Sequence, residues 1–106
     1  MSASQSHVSF SKPNVEQPLF PLGRLVATPG ALALLMRSEQ TPLEFVSRHA
    51  SGDWSECDDH DASENDLSVK ARFRIFSVYR TRTGEPLWII TEADRGATTL
   101  LLPSEY

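Results

Sequence analysis

Seven acidic residues and no lysine or arginine lie in residues 53–66, so this segment offers more potential metal ligands than any other. It fails the calcium-loop pattern, which needs glycine at the sixth position and glutamate at the twelfth. Cys57 and His60 lack the two further close ligands of a structural zinc site. We therefore expect no metal or other cofactor. The segment is predicted to be a solvated loop that caps the next helix, mimics nucleic-acid phosphate or meets a basic partner.

His49 and Asp53 have the residue types of a general base and the carboxylate that orients it, and Arg48 stands beside them. A nucleophile within a recognisable motif is missing, because neither Cys57 nor any serine has one around it. The structural alternative is that Asp53 accepts backbone hydrogen bonds in its loop while Trp54 fills the edge of the core. We favour this alternative and keep a small hydrolase-like enzyme as the weaker hypothesis.

Five basic residues and no acid lie in residues 70–82. Alternation along a strand puts four of them on one face, with Phe76 and Val78 between them: Arg72, Arg74, Arg80 and Arg82. Such a face can bind phosphates or an acidic protein. The alternative is that these arginines neutralise the acidic segment that precedes them.

Glu92, Asp94 and Arg95 form a third charged group, in a turn predicted between two apolar strands. Turns on a rigid scaffold often carry function. A tight turn with a local Asp94–Arg95 pair is the simpler interpretation, and we favour it.

The elements that position these groups follow from caps and alternation. Thr28-Pro29 and Thr41-Pro42 predict two helix starts, the second with a Thr41/Glu44 capping box, and Ser51-Gly52 predicts the end of the second helix. A further capping box, Asp61 with Glu64, predicts a short helix over 61–70. Strands are predicted at 22–27 (an edge strand), 73–79, 87–91 and 98–102. This is an α+β domain, with two or three short helices on one face of a small antiparallel sheet and a C-terminal three-strand meander. Trp88 is predicted to be a core residue of the central strand.

The 106-residue length fits one domain. Residues 1–21 are rich in serine and proline and predict a flexible tail, leaving 22–106 as the domain. A net charge of −4 excludes a uniformly basic coat, and a single cysteine excludes an intrachain disulfide. No apolar run approaches the ~18 residues of a membrane span, and no leader pattern opens the chain. We expect a cytoplasmic protein with no membrane partner, either monomer or homodimer.

Three stretches resemble a family of small bacterial proteins called plasmid-related or hypothetical, which plasmids, integrative elements and prophages carry. They are Arg48-His49 with Gly52-Asp53-Trp54, the run WIITEADR at 88–95, and TTLLLPSEY at 98–106. The family usually has glycine where this chain has Ser55. The resemblance covers residues 22–106 and implies a mobile-element setting without a reaction.

Size, segregated charge and the lack of an assembled catalytic motif together favour a non-enzymatic accessory protein that binds a macromolecule. The resemblance suggests an inhibitor of a host defence or DNA-processing complex. We expect a protein partner with a basic surface, and a nucleic-acid-binding regulator using the arginine-bearing strand is the alternative. The predicted partner-binding residues are Asp53, Asp58, Asp59, Asp61, Arg72, Arg74, Asp94 and Arg95.

Overall fold

The computed structural model describes Val8–Ser9 and residues 18–106. The elements are β1 (Val8–Ser9), β2 (Arg24–Ala27), α1 (Pro29–Ser38), α2 (Pro42–Ala50), α3 (Asp59–Ala71), β3 (Ile75–Arg80), β4 (Pro86–Thr91) and β5 (Ala97–Leu101), followed by a 3₁₀ turn at Pro103–Glu105. The strands form one sheet in the order β1-β2-β5-β4-β3. The predicted α+β class and the C-terminal meander are confirmed. The sheet is mixed and not antiparallel as predicted, because β2 runs parallel to β5 while the other neighbouring pairs run antiparallel.

The helices begin close to where the sequence predicts, with two corrections at their caps. Thr28 caps α1 by accepting a hydrogen bond from the backbone N–H of Ala31 at 3.1 Å. Helix α2 begins after Thr41, but the predicted capping box does not form, because Thr41 makes no side-chain cap bond and Glu44 accepts from the side-chain amide of Gln40.

Helix α3 begins two residues earlier than predicted. Asp58, and not Asp61, is its N-cap, and the Asp58 carboxylate accepts from the backbone N–H of Asp61 at 2.8 Å. Several acids in a row offer equivalent caps, so local pattern alone could not choose among them. The helix continues to Ala71 and ends at Arg72, which has a left-handed φ of 62°.

The core lies between the helices and one face of the sheet, which we call the inner face. Its strand residues are Leu25, Ala27, Ile75, Tyr79, Leu87, Ile89 and Leu100, and they pack in one cluster with apolar side chains of α1 and α2. The cross-strand pairs Val78–Trp88 and Phe76–Ile90 point to the opposite, outer face. Strand β4 is internal as predicted, but Trp88 is only half-buried and lies outside the core cluster.

Most of the predicted tail of residues 1–21 lies outside the described residues, and its flexibility stays a prediction. Val8–Ser9 pairs with β2, so the predicted edge strand at 22–27 has neighbours on both sides. Near the C-terminal end of the predicted tail, Phe20 is 4% exposed and belongs to the core cluster.

The edge strand β3 is hydrogen-bonded on its outer edge by a side chain of α3 and by the loop that precedes α3. The Asn65 amide donates to the backbone carbonyl of Phe76 at 2.5 Å, and its carbonyl accepts from the Phe76 N–H at 3.1 Å. Glu56 donates its backbone N–H to the carbonyl of Val78 at 2.9 Å. These bonds occupy backbone groups at the edge that could otherwise pair with another chain, so β3 exposes its outer face more than its backbone.

Candidate functional site

His49, the predicted general base, is fully buried beneath the inner face. Its Nδ1 contacts the Ser77 hydroxyl, and its Nε2 lies 2.9 Å from the Thr91 hydroxyl. Thr91 in turn lies 2.7 Å from the hydroxyl of Thr98, which donates to the carbonyl of Leu22 at 2.7 Å. A chain of polar groups therefore crosses three strands within an apolar core.

The direction of this chain follows from its last acceptor. The Leu22 carbonyl can only accept, so Thr98 donates to it and accepts from Thr91. Thr91 must then accept from Nε2–H of His49, and Nδ1 accepts from the Ser77 hydroxyl. Burial, together with the positive charge of Arg95, lowers the pKa of His49 to about 3. The ring is thus neutral, has both nitrogens bonded and is closed to solvent, which is the arrangement of a structural histidine.

Asp53 anchors its loop, as the structural alternative to catalysis predicts. One carboxylate oxygen accepts from Nε of Arg48 at 2.6 Å, and the other accepts from the backbone N–H of Ser55 at 3.1 Å. Trp54 is buried and donates its indole N–H to Asp66 at 2.9 Å. Because His49 and Asp53 bind different partners, they do not form the base–carboxylate pair that catalysis would need.

Arg95, predicted on the surface of a turn, is instead 5% exposed. Its guanidinium donates to the carbonyls of Ser68 and Phe73, each at 2.7 Å, and to carbonyls of its own turn. The predicted local pair with Asp94 is wrong, since the Asp94 carboxylate accepts from the backbone N–H of Gly96. Arg95 joins the end of α3 to the β4–β5 turn and is not available to a partner.

The acidic segment is largely exposed, with Asp59 and Asp61 in the first turn of α3. Between its carboxylates and the bases of 70–82, the described residues form one ion pair, Glu56 with Arg80 at 3.7 Å. In the described part of the chain, no three His, Cys, Asp or Glu side chains come close enough to hold a metal ion. The absence of a cofactor stays a prediction.

The predicted arginine face is shorter than expected. Arg72 is the C-cap residue of α3, and Arg82 lies in the turn after β3, where it donates to the carbonyl of Glu39. Alternation requires extended backbone, and neither the left-handed cap residue Arg72 nor the turn residue Arg82 has it. Of the predicted partner-binding arginines, Arg74 alone reaches the outer face, where its guanidinium lies over the Tyr106 ring at 5.2 Å.

A groove on the outer face is the feature that sequence reasoning missed. It has a cavity volume of about 250 Å³ and is lined by Arg74, Phe76, Trp88, Ile90 and Tyr106. Trp88 meets Phe76 and Tyr106 edge to face, with ring centroids 4.9 and 5.7 Å apart. The Tyr106 hydroxyl accepts from Arg74 at 2.8 Å. Alternation of Phe76 against Ser77 and of Trp88 against Ile89 was the available signal for an aromatic outer face.

Glu105 holds the C-terminal residue beside this groove. Its carboxylate accepts from the Thr28 hydroxyl at 2.5 Å and from the backbone N–H of Gly30 at 3.2 Å, so it caps the N-terminus of α1. A Cβ on Gly30 would lie 2.6 Å from that carboxylate, so a larger residue there would require the Glu105 side chain to shift. The adjacent Tyr106 then reaches Trp88, although it is 68% exposed.

No helix in the described residues has both the length and the apolar character needed to cross a membrane. Comparisons with protein-family models, with curated proteins and with solved structures find no match to this chain.

Proposed function

We propose that this protein is a non-enzymatic binding module that docks a segment of a partner protein in the groove on the outer face of its sheet. The observation that carries the proposal is the grouping of Phe76, Trp88 and Tyr106 with Arg74 around one cavity. Tryptophan, tyrosine and arginine are the residue types that contribute most to protein–protein affinity. Trp88 is half-buried by its neighbours in the free protein, so its position is set before binding.

The alternatives have less support. Catalysis through His49 would need a solvent-accessible ring, and this ring is enclosed. Binding of nucleic acid would use the same aromatics for stacking, but the net charge is −4 and Glu92 stands 3.7 Å from Arg74. The resemblance to plasmid-related proteins is the basis for proposing a host defence or DNA-processing complex as the partner, encountered in the cytoplasm.

The test is capture of partners from a host lysate by three variants, followed by binding measurements with the purified candidate. Trp88→Ala and Arg74→Ala alter the groove, and Met36→Ala alters an α1 side chain that is 79% exposed. We expect Trp88→Ala to weaken the purified complex by about 30-fold and Met36→Ala to leave its affinity unchanged. A partner that binds all three variants equally contradicts the proposal. Salt-dependent retention of a single-stranded oligonucleotide that Arg74→Ala abolishes would favour the nucleic-acid alternative.

A second surface, the acidic first turn of α3, is the one expected to meet a basic partner. Replacing Asp58, Asp59 and Asp61 by Asn keeps the cap of α3, since asparagine caps about as well as aspartate. If this surface steers association, the triple variant slows binding and flattens its salt dependence while dissociation is unchanged. An unchanged on-rate removes the acidic turn from the interface.

A further inference from the structure

The groove joins an apolar cavity to a single guanidinium, and this combination restricts what can fill it. A volume of about 250 Å³ is below the roughly 300–1,000 Å³ of a cofactor or drug-sized site. It suits one large side chain of a docked segment. Aromatic and aliphatic groups of Phe76, Trp88 and Ile90 line it, so that side chain must be apolar.

The guanidinium of Arg74 has a weak carboxylate partner in the free protein. One of its terminal nitrogens donates to the Tyr106 hydroxyl at 2.8 Å. Its Nε, however, lies 3.7 Å from the carboxylate of Glu92, beyond hydrogen-bond length, and about half of each side chain is exposed. Such an exposed pair contributes little to stability. A second carboxylate can therefore displace Glu92 with little loss.

We infer that the groove recognises a segment in which a carboxylate lies beside a large apolar side chain, with the carboxylate replacing Glu92 at Arg74. This inference rests on the proposed function and specifies its ligand. The apolar side chain excludes water as it enters, so the new guanidinium–carboxylate pair forms in a drier place than the Arg74–Glu92 pair. Planar guanidinium and carboxylate groups can then make two parallel hydrogen bonds.

Two neighbouring features argue for an acidic peptide over other anions. Glu92 and Asp94 stand at the end of β4 and in the turn that follows it, where they would repel a long polyphosphate backbone. The groove's volume of about 250 Å³ also suits one side chain and is too small to accept several successive bases. A peptide carries its charge locally and can run past these carboxylates.

The test compares 3-phenylpropionate with 3-phenylpropionamide, which share a ring and spacing but differ in charge. Titration is followed by NMR at the Arg74 Nε–H and the Trp88 indole N–H. The Trp54 indole N–H, bonded to Asp66 inside the protein, is the internal control and must not shift. We expect the carboxylate to bind at least about fivefold more tightly than the amide, as a charge-assisted pair requires.

Two variants sharpen the comparison. Glu92→Gln removes the competing carboxylate. It is expected to tighten 3-phenylpropionate binding about two- to fivefold without changing the affinity for 3-phenylpropionamide. Arg74→Gln keeps a donor for Tyr106 and is expected to abolish the preference for the carboxylate. If Arg74→Gln perturbs the fold, the affinity of Glu92→Gln for 3-phenylpropionate decides alone whether the carboxylate replaces Glu92.

Each contrary outcome is distinct. Equal binding of the two probes overturns carboxylate recognition while leaving an apolar groove for a partner, so the proposed function stands. Carboxylate shifts at Arg74 without shifts at Trp88 also overturn the inference, since they show anion pairing outside the cavity. If neither the Arg74 nor the Trp88 signal shifts, the inference is also overturned. Loss of the probe response on concentrating the protein would identify a second copy of the chain as the occupant and overturn the acidic-peptide assignment.

Discussion

Each face of the sheet carries side chains that are unusual for its surroundings: polar groups within the apolar inner face, and aromatic rings on the outer face. On the inner face, Ser77, Thr91 and Thr98 lie among aliphatic side chains and carry a hydrogen-bonded chain from His49. On the outer face, Phe76 and Trp88 remain partly exposed. Each of these buried polar groups has a hydrogen-bond partner. The outer aromatic rings are covered by neighbouring rings over only part of their surface.

This difference separates stability from binding. A buried hydrogen-bonded network fixes one arrangement of the strands and helices, because leaving any member unpaired is costly. An aromatic surface that is half-buried by its own neighbours is rigid yet still has area to lose to a partner. Of two residues adjacent in sequence, Ile89 thus contributes to the core, and Trp88 belongs to the groove that we propose for binding.

Alanine substitution at those two neighbours should give the largest contrast. Ile89→Ala empties a site with 0% exposure and is expected to lower the free energy of unfolding by about 2–5 kcal/mol. Trp88→Ala removes a larger but half-exposed side chain and is expected to lower it by about 1–2 kcal/mol. Urea denaturation measures both. A larger loss at Trp88 than at Ile89 would mean that the outer face is a second core.

Thr91→Val tests the polar chain without changing side-chain shape. It removes the acceptor of His49 and the donor to Thr98, and we expect a loss of about 1–3 kcal/mol. Thr99→Val, on the outer face of the next strand, is the matched control and should change stability by less than about 0.5 kcal/mol. Equal effects in the two variants would mean that the inner hydroxyls contribute no more than exposed ones.

Acid should destabilise the protein through His49. The folded pKa is about 3, below the ordinary value of 6.5, so the unfolded chain takes up the proton first as pH falls. The stabilisation is complete above about pH 6.5 and is lost progressively toward pH 3; between pH 7 and pH 5 the loss is about 2 kcal/mol. Urea denaturation at the two pH values measures it. His49→Gln should flatten this dependence, whereas a His60→Gln control, at an exposed position, should retain it.

Tyr106→Ala should have the smallest effect on stability. The residue is 68% exposed, and its loss removes the contact with Trp88 and the bond from Arg74. We expect thermal unfolding to report a change below about 1 kcal/mol. A loss above about 2 kcal/mol would instead assign the C-terminal residue to the fold and weaken the case for an open groove.

Most elements could be predicted because their signals are local. Thr28-Pro29 caps α1 as expected, and the alternating apolar runs give the meander. The cap of α3 was misplaced by three residues because neighbouring aspartates offer equal local signals. Arg95 was placed on the surface because two of its carbonyl acceptors lie in α3 and in the segment before β3, 27 and 22 residues away respectively.

By itself, then, the sequence determined the α+β class, the starts of α1 and α2 and the charge segregation, all of which depend on neighbours within a few positions. Tertiary structure alone decided that His49 is enclosed and that Tyr106 meets Arg74 and Trp88. The bonds that decide these points span 28 residues between His49 and Ser77 and 77 residues between Thr28 and Glu105. Contacts of that separation depend on how the strands register and which face the helices cover, and local patterns of residue type do not fix either by themselves.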